Sequence, residues 1–216
     1  MVHRPLVFGI SEANICGLDK NLVEVTDYNI HLGPETSNGL SRIVVYSHKD
    51  INVKPRPDLS NQNFSSVWLE CSIPKQKKFL LCNAYREWQI PGVENSLSVP
   101  EQLSRWQVFL SQWERVTSSG SEVIILGDMN INHLNWMETS KELTSQTRKL
   151  RPLIEELFVR IIPLGFSQMV KVATRHFPGQ KSTGLDHVFT NAPAKIQETK
   201  AYHWGGSDHM LGNQNQ

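Results

Sequence analysis

The chain has 216 residues, 39% of them apolar, with six Trp and eight Phe, enough for a hydrophobic core and too much for a disordered segment. Its 22 Lys and Arg against 21 Asp and Glu exclude a protein that holds nucleic acid by bulk positive charge. A nuclease is not excluded, because a bound divalent cation brings positive charge to the phosphate.

Cys16, Cys71 and Cys82 are odd in number and form no CxxC pair, so buried free thiols in a reducing, intracellular setting are expected. No apolar run approaches the ~18–20 residues of a membrane span, and Leu6–Ile10 is too short for the apolar region of a signal peptide. The expectation is one soluble domain over 1–216.

In chain order, residues 1–12 predict a short buried strand ending at Ser11-Glu12. Residues 13–38 read as irregular, with Asn, Asp and Gly punctuation and a Gly33-Pro34 pair. Leu40–Ser47 and Ser66–Ile73 predict strands separated by a Pro-, Asn- and Ser-rich loop, and Phe79–Cys82 a further strand, together an antiparallel meander. The Lys cluster at 75–78 reads as a solvated turn. Ser98-Val99-Pro100-Glu101 has the pattern of a capping box with Pro in the first turn. Behind it, Leu103, Trp106, Phe109, Leu110 and Trp113 recur every three to four residues and predict one buried helix face. Glu122–Leu126 is a strand buried on both faces, broken by Gly127. Residues 131–136 read as a loop. Residues 148–162 predict a second helix with Leu153, Ile154, Leu157, Phe158 and Ile161 inward, stopped by Pro163 and Gly165. Ser167–Ala173, Asp186–Thr190 and Lys195–Tyr202 are the remaining strand candidates.

Polar residues gather where these strands end. Asp128 and Asn130 follow the 122–126 strand, and such a carboxylate can ligate a metal or take a proton; an Asx turn closing a core strand would look the same. Glu12 follows the first strand, and Asn83, Tyr85, Arg86 and Glu87 lie at the end of the third. Two Asp-His pairs, Asp186-His187 and Asp208-His209, close the chain. His209 lies in a Gly-Ser-Asp loop with no packing rationale, and a carboxylate such as Asp186 would fix its tautomer and raise its pKa. Carboxylates, an amide, a Tyr and a His at separate strand ends form a plausible hard-cation, phosphate-processing site. Neither HExxH, zinc spacing nor a P-loop occurs.

Ser11-Glu12, Asn83-Ala84-Tyr85, Gly127-Asp128-Met129-Asn130, Leu185-Asp186-His187 and Ser207-Asp208-His209 occur in the order found in the endonuclease/exonuclease/phosphatase superfamily, the DNase I-like group. Tyr85-Arg86-Glu87-Trp88, the Trp-rich helix and Thr174-Arg175 most resemble the endonuclease domain of non-LTR retrotransposons. The resemblance spans about residues 8 to 210. It implies a four-layer α/β sandwich, two mostly antiparallel sheets face to face with flanking helices. It implies Mg²⁺ or Mn²⁺ on Glu12, with Asp208 nearby. Asp128 would position or activate the attacking water, helped by Asn130. His209, supported by Asp186, would stabilise the phosphoryl oxygen, and Tyr85 would contact the phosphate. Arg86, Thr174 and Ser207 would contact substrate. The implied reaction is hydrolysis of a DNA phosphodiester leaving a 3′ hydroxyl. The implied partners are DNA and a reverse transcriptase domain of a parent protein, with no membrane, and a nuclear location when acting on chromosomal DNA.

Two departures from the family pattern accompany this. No Asn precedes Asn14 to share the metal site, and only seven polar-ending residues follow His209. The first and last family strands are therefore expected to be missing and activity impaired. The alternatives are a phosphoesterase of the same fold acting on phosphoinositides or other lipids, and an inactive remnant serving only as a binding module.

Overall fold

The computed structural model describes residues 4–36, 38–89, 97–133, 149–202, 207–209 and 211–215. Its centre is β7 (Glu122–Asp128), the apolar run broken by Gly127. β7 lies in a six-stranded sheet with β4 (Asn52–Pro55), β5 (Ser65–Ser72), β6 (Phe79–Tyr85), β8 (Ser167–Gln168) and β9 (Asp186–Thr190), in the order β4-β5-β6-β7-β9-β8. All of these pairings are antiparallel except β6–β7. A parallel pair needs a long crossover, and helix α1 (Val99–Thr117) lies within it.

A second sheet is antiparallel throughout, with β3 (Leu40–His48) between β1 (Val7–Cys16) and β2 (Tyr28–Leu32). β10 (Glu198–Tyr202) pairs with β11 (Leu211–Asn215) as a separate ladder, so a strand does follow His209.

The two faces of the large sheet bury different partners. One face carries Trp68, Leu80, Cys82, Val123, Ile125 and Phe189 against α1 and α2 (Arg151–Arg160). The α1 stripe of Trp106, Phe109, Leu110 and Trp113 is buried there, each side chain worth about 1.5–3 kcal/mol. Ser98 caps α1 as its spacing predicts. The Ser98 N–H donates to the Glu101 carboxylate at 2.8 Å, and the Glu101 N–H donates to Ser98 Oγ at 3.4 Å. The opposite face packs Val67, Leu69, Leu81, Tyr85, Ile124 and Val188 against Ile43 and Val45 of β3. The result is an α/β sandwich; among the described residues the α-helices lie on one outer face, and a 3₁₀ turn at Gly17–Val23 follows β1 on the other sheet.

Several expectations give way. β1 is neither short nor fully buried: it runs through Glu12 to Cys16 at a sheet edge, with Ile10 44% exposed. β2 and β4 replace expected loops, because strand pairing with β3 and β5 supplies what their mixed patterns do not. β3 joins the small sheet, so only β4, β5 and β6 form the meander. In α2, Leu153, Leu157 and Ile161 form the buried stripe, and Phe158 is 44% exposed because it sits one residue off that phase. Only Ser167–Gln168 of the expected 167–173 strand is paired. The expected loop at 134–136, the helix start at 148 and Gly206 lie outside the described residues.

Cys71 and Cys82 are buried free thiols, and burial pushes Cys71 up to about 12. Among the described residues no helix is long and apolar enough to cross a membrane.

Candidate active site

The site begins where β7 ends. Gly127 has φ +137°, and a Cβ there would meet the Ala84 carbonyl oxygen at 1.9 Å, so only glycine lets β7 lie this close to β6. Asp128 follows, buried at the strand end. Its Oδ1 accepts the Asn130 N–H at 2.8 Å, an Asx turn that holds Asn130 at φ +48°.

Arg86 closes this turn from the end of β6. Its Nε donates to the Met129 carbonyl at 2.5 Å and its Nη2 to the Asn130 carbonyl at 2.6 Å, while Nη1 bonds Gln102 of α1. Asn130 Nδ2 returns a bond to the Arg86 carbonyl at 3.0 Å. With 2% exposure, Arg86 clamps the loop, and burial lowers its pKa to about 10. The Asn130 amide nitrogen is thereby held against the backbone of the β6 end.

Asp186 opens β9 and is the register partner of Asp128. Thr174 Oγ1 accepts the N–H groups of Leu185 and Asp186 at 3.1 and 3.0 Å, which makes buried Thr174 a support for Asp186. His209 Nδ1 donates to Asp186 Oδ2 at 3.0 Å, and its Nε2 lies 4.0 Å from Asp128 Oδ2. Ser207 Oγ accepts the His209 N–H at 3.0 Å, fixing the loop that presents the ring.

These neighbours set the charges. Burial first, then the Asp186 charge, pushes Asp128 up to about 7, against the pull of His209. The Asp186 hydrogen bond raises His209 to about 9 despite its burial. Two carboxylates, one near neutrality, thus flank an imidazolium.

Tyr85 reaches the same region from β6. Its hydroxyl bonds the Glu12 carboxylate, and burial raises its pKa far above the ordinary phenol value. Glu12 projects from a bulge in β1, at φ +58°, where the register with β3 shifts between Ser11 and Ile15. Its charge is close enough to raise Asp128. Asp208 is tied to Arg175 at 2.6 Å, which holds its carboxyl below the usual range.

Among the described residues, Asp128, Asp186 and His209 form a group whose ligand atoms all lie within 4.8 Å of one another. The oxygens of Asp128 and Asp186, with the half-exposed Glu12 carboxylate nearby, fit a hard divalent cation. The protonated His209 is a donor and not a ligand. Neither expected ligand, Glu12 or Asp208, belongs to the group of three.

Sequence reasoning missed four contributors. Arg42 of β3 contacts both Tyr85 and Glu12. Arg175 holds Asp208. His133 and His187 pack edge to face at 5.1 Å beneath the site; His133 Nδ1 donates to the Gly184 carbonyl, and His187 Nε2 to the Ile131 carbonyl, each at 2.7 Å. Gly184 is needed here, since a Cβ would lie 2.2 Å from the His133 ring. The Asp-His pairs were visible as motifs, but nothing in the sequence says that His187 points inward and His209 outward.

No curated protein sequence matches the chain. Among solved structures, the endonuclease domain of TRAS1, a telomere-specific non-LTR retrotransposon, superposes with TM-score 0.63 at 18% identity, covering 96% of this chain and 82% of that one. The catalytic domain of Xenopus laevis APE2 gives TM-score 0.63 at 14% identity, covering 96% and 84%. The 3′–5′ exonuclease NExo of Neisseria meningitidis gives 0.62 at 10%, covering 99% and 90%. These likenesses establish the DNase I-like α/β sandwich. Residues 81–211, more than half of the chain and most of the site, match the family model described as endonuclease-reverse transcriptase. The chain belongs to that family, within the endonuclease/exonuclease/phosphatase superfamily.

Proposed function

We propose that this chain is a divalent-metal-dependent endonuclease that nicks DNA by hydrolysing a phosphodiester and leaves a 3′ hydroxyl able to prime reverse transcription. The observation that carries the reading is the convergence of Asp128, Asp186 and His209 at one end of the central strands, beside Tyr85 and Glu12, in a chain of this family. The expected partners are DNA and a reverse transcriptase domain of a parent protein, and the expected place of action on chromosomal DNA is the nucleus.

Glu12 and Asp186 supply the oxygens that would hold Mg²⁺ or Mn²⁺, which when bound offsets phosphate charge. The other roles fall to the chain itself. Asp128, raised to about 7, accepts a proton from the attacking water near neutral pH. The Asn130 N–H occupies Oδ1, leaving Oδ2 for that water. His209, held protonated by Asp186, donates from Nε2 to the phosphoryl oxygen as negative charge grows. Tyr85 stays a neutral phenol and offers its proton to a second oxygen. Asp208 joins the cation only by exchanging Arg175 for it.

Nicking of supercoiled plasmid with Mg²⁺ tests this. EDTA should abolish it, and Asp128→Ala or His209→Ala should slow it by about two to four orders of magnitude. Cleavage that persists in EDTA removes the metal, and unimpaired variants remove the assigned roles. Phosphate release from phosphoinositide vesicles without plasmid nicking would replace DNA by a lipid substrate, and DNA binding without cleavage would leave only a binding module.

A further inference from the structure

Arg42 reaches the site from β3, the central strand of the three-stranded sheet, far in sequence from every motif. Its side chain is buried, 5% exposed. Nη2 donates to the Tyr85 hydroxyl at 3.2 Å and lies 3.7 Å from Glu12 Oε1. The guanidinium carbon stands 4.9 Å from the Tyr85 ring centroid. Arg42 Nε and Nη1 are buried with no hydrogen-bond partner among the described residues. Burying a cation with two donor nitrogens unmet is costly, so this is a poor way to stabilise a sheet. The contacts that the guanidinium does make all lead to Tyr85 and Glu12.

The hydrogen-bond polarity of these contacts is fixed. A guanidinium carries five donors and no acceptor, whereas a phenol oxygen can both donate and accept. Facing Arg42, the Tyr85 oxygen must accept, and its single proton has to point elsewhere. In the structure that proton meets the Glu12 carboxylate. A residue able to accept at position 42 would let the proton turn inward, leaving the hydroxyl an acceptor toward an anionic substrate, the wrong polarity.

We propose that Arg42 is a positioning residue that locks Tyr85 as a proton donor toward the site, to Glu12 in the free protein and to a phosphate oxygen when a phosphodiester is bound. The inference rests on the hydrolytic reading above for its second half and on geometry alone for its first.

The test compares Arg42→Met and Arg42→Lys, each alone and combined with Tyr85→Phe. Arg42→Met, whose thioether donates nothing and accepts only weakly, frees the phenol proton to rotate. It should lower kcat for plasmid nicking about tenfold while KM changes little, the scale of one hydrogen bond to a charged group. Arg42→Lys, still a pure donor, should recover most of the loss. Arg42→Met should add nothing in the Tyr85→Phe background, since a residue acting through the hydroxyl cannot act once it is gone. Losses that add in the double variant, or an unchanged kcat in Arg42→Met, overturn the proposal.

A second readout needs no cleavage. The chain has four Tyr, so the Tyr85 Cζ resonance in ¹³C-tyrosine-labelled protein is assignable by its loss in Tyr85→Phe. It should shift in Arg42→Met and return toward the parent position in Arg42→Lys. A parent that cleaves no phosphodiester would sink the hydrolytic reading while this resonance still decides the hold of Arg42. A resonance unmoved by both substitutions removes that hold even in an active enzyme. Should Arg42→Met not fold, kcat and the resonance of Arg42→Gln, which can accept from the phenol, decide in its place.

Discussion

Asp128 and Asp186 stand directly opposite each other across the antiparallel β7–β9 ladder. Like charges in register destabilise a sheet, and burial makes this pair more costly still. The structure absorbs the cost in two ways: Asp128 is pushed up to about 7, and Asp186 is spent on His209. Burial first and then this pairing thus raise Asp128, while the bond to Asp186 raises the His209 imidazole.

The first prediction follows from that pair. Asp186→Asn removes the carboxylate charge that strengthens the bond to His209 and raises it, so its pKa should fall from about 9 toward the ordinary histidine value. Asp128 should fall as well, because a like charge has gone. Imidazole proton titration by NMR reads the first and carboxyl ¹³C shifts the second. A His209 titration unaffected by the substitution would show that Asp186 is not its partner. Nicking should slow by about two to four orders of magnitude.

Arg86 is predicted to matter for stability before chemistry. Arg86→Met leaves the Met129 and Asn130 carbonyls and the Gln102 amide without their donor. Buried acceptors left unmet cost about 1–3 kcal/mol each, so a loss of roughly 2–4 kcal/mol is expected after partial relaxation. Urea unfolding measures it, and a midpoint equal to the parent's would show that the clamp is dispensable.

Stability should also depend on the buried histidines. Burial lowers His187 to about 3, and it lowers His133 as well. Unfolded histidines take up protons near pH 6.5, whereas folded His187 stays neutral down to about 3. This contribution is therefore complete above about pH 6.5 and is lost as pH falls toward 3, at up to about 1.4 kcal/mol per pH unit for His187. Unfolding free energies at several pH values between 7.5 and 4.5 should fall less steeply in His187→Gln than in the parent. Equal slopes would contradict the assignment.

The two expected metal ligands should separate in binding. Glu12 is half-exposed and held by neutral Tyr85 and by Arg42, whereas Asp208 is already neutralised by Arg175. Glu12→Gln should weaken Mg²⁺ or Mn²⁺ binding, read by calorimetry, by about tenfold or more, and Asp208→Asn should weaken it less. The reverse order would place Asp208 on the cation and require Arg175 to let go.

Much of this protein was legible from local pattern. The capped α1 with its Trp and Phe stripe, the doubly buried β7 and the turn after it follow from periodicities that no tertiary contact needs to correct. The motifs around Asp128, Asp186 and His209 could be read in order because each sits at a strand end, where side-chain identity is free of core packing. What local pattern could not reach depends on who pairs with whom. β2 and β4 are strands because β3 and β5 offer open ladders beside them, and Phe158 faces out because the sheet meets α2 one residue away in phase. The same holds inside the site: the partners of Arg86, Thr174 and Ser207, at residues 129 and 130, 185 and 186, and 209, come from chain segments that only folding or loop geometry brings to them. Arg42 looked like one charge in a β-strand until β1 and β6 brought Glu12 and Tyr85 to it. Residues 42, 12 and 85 have no spacing that links them, because their contact is made by two sheets closing face to face, and sheet packing is a property of the whole chain.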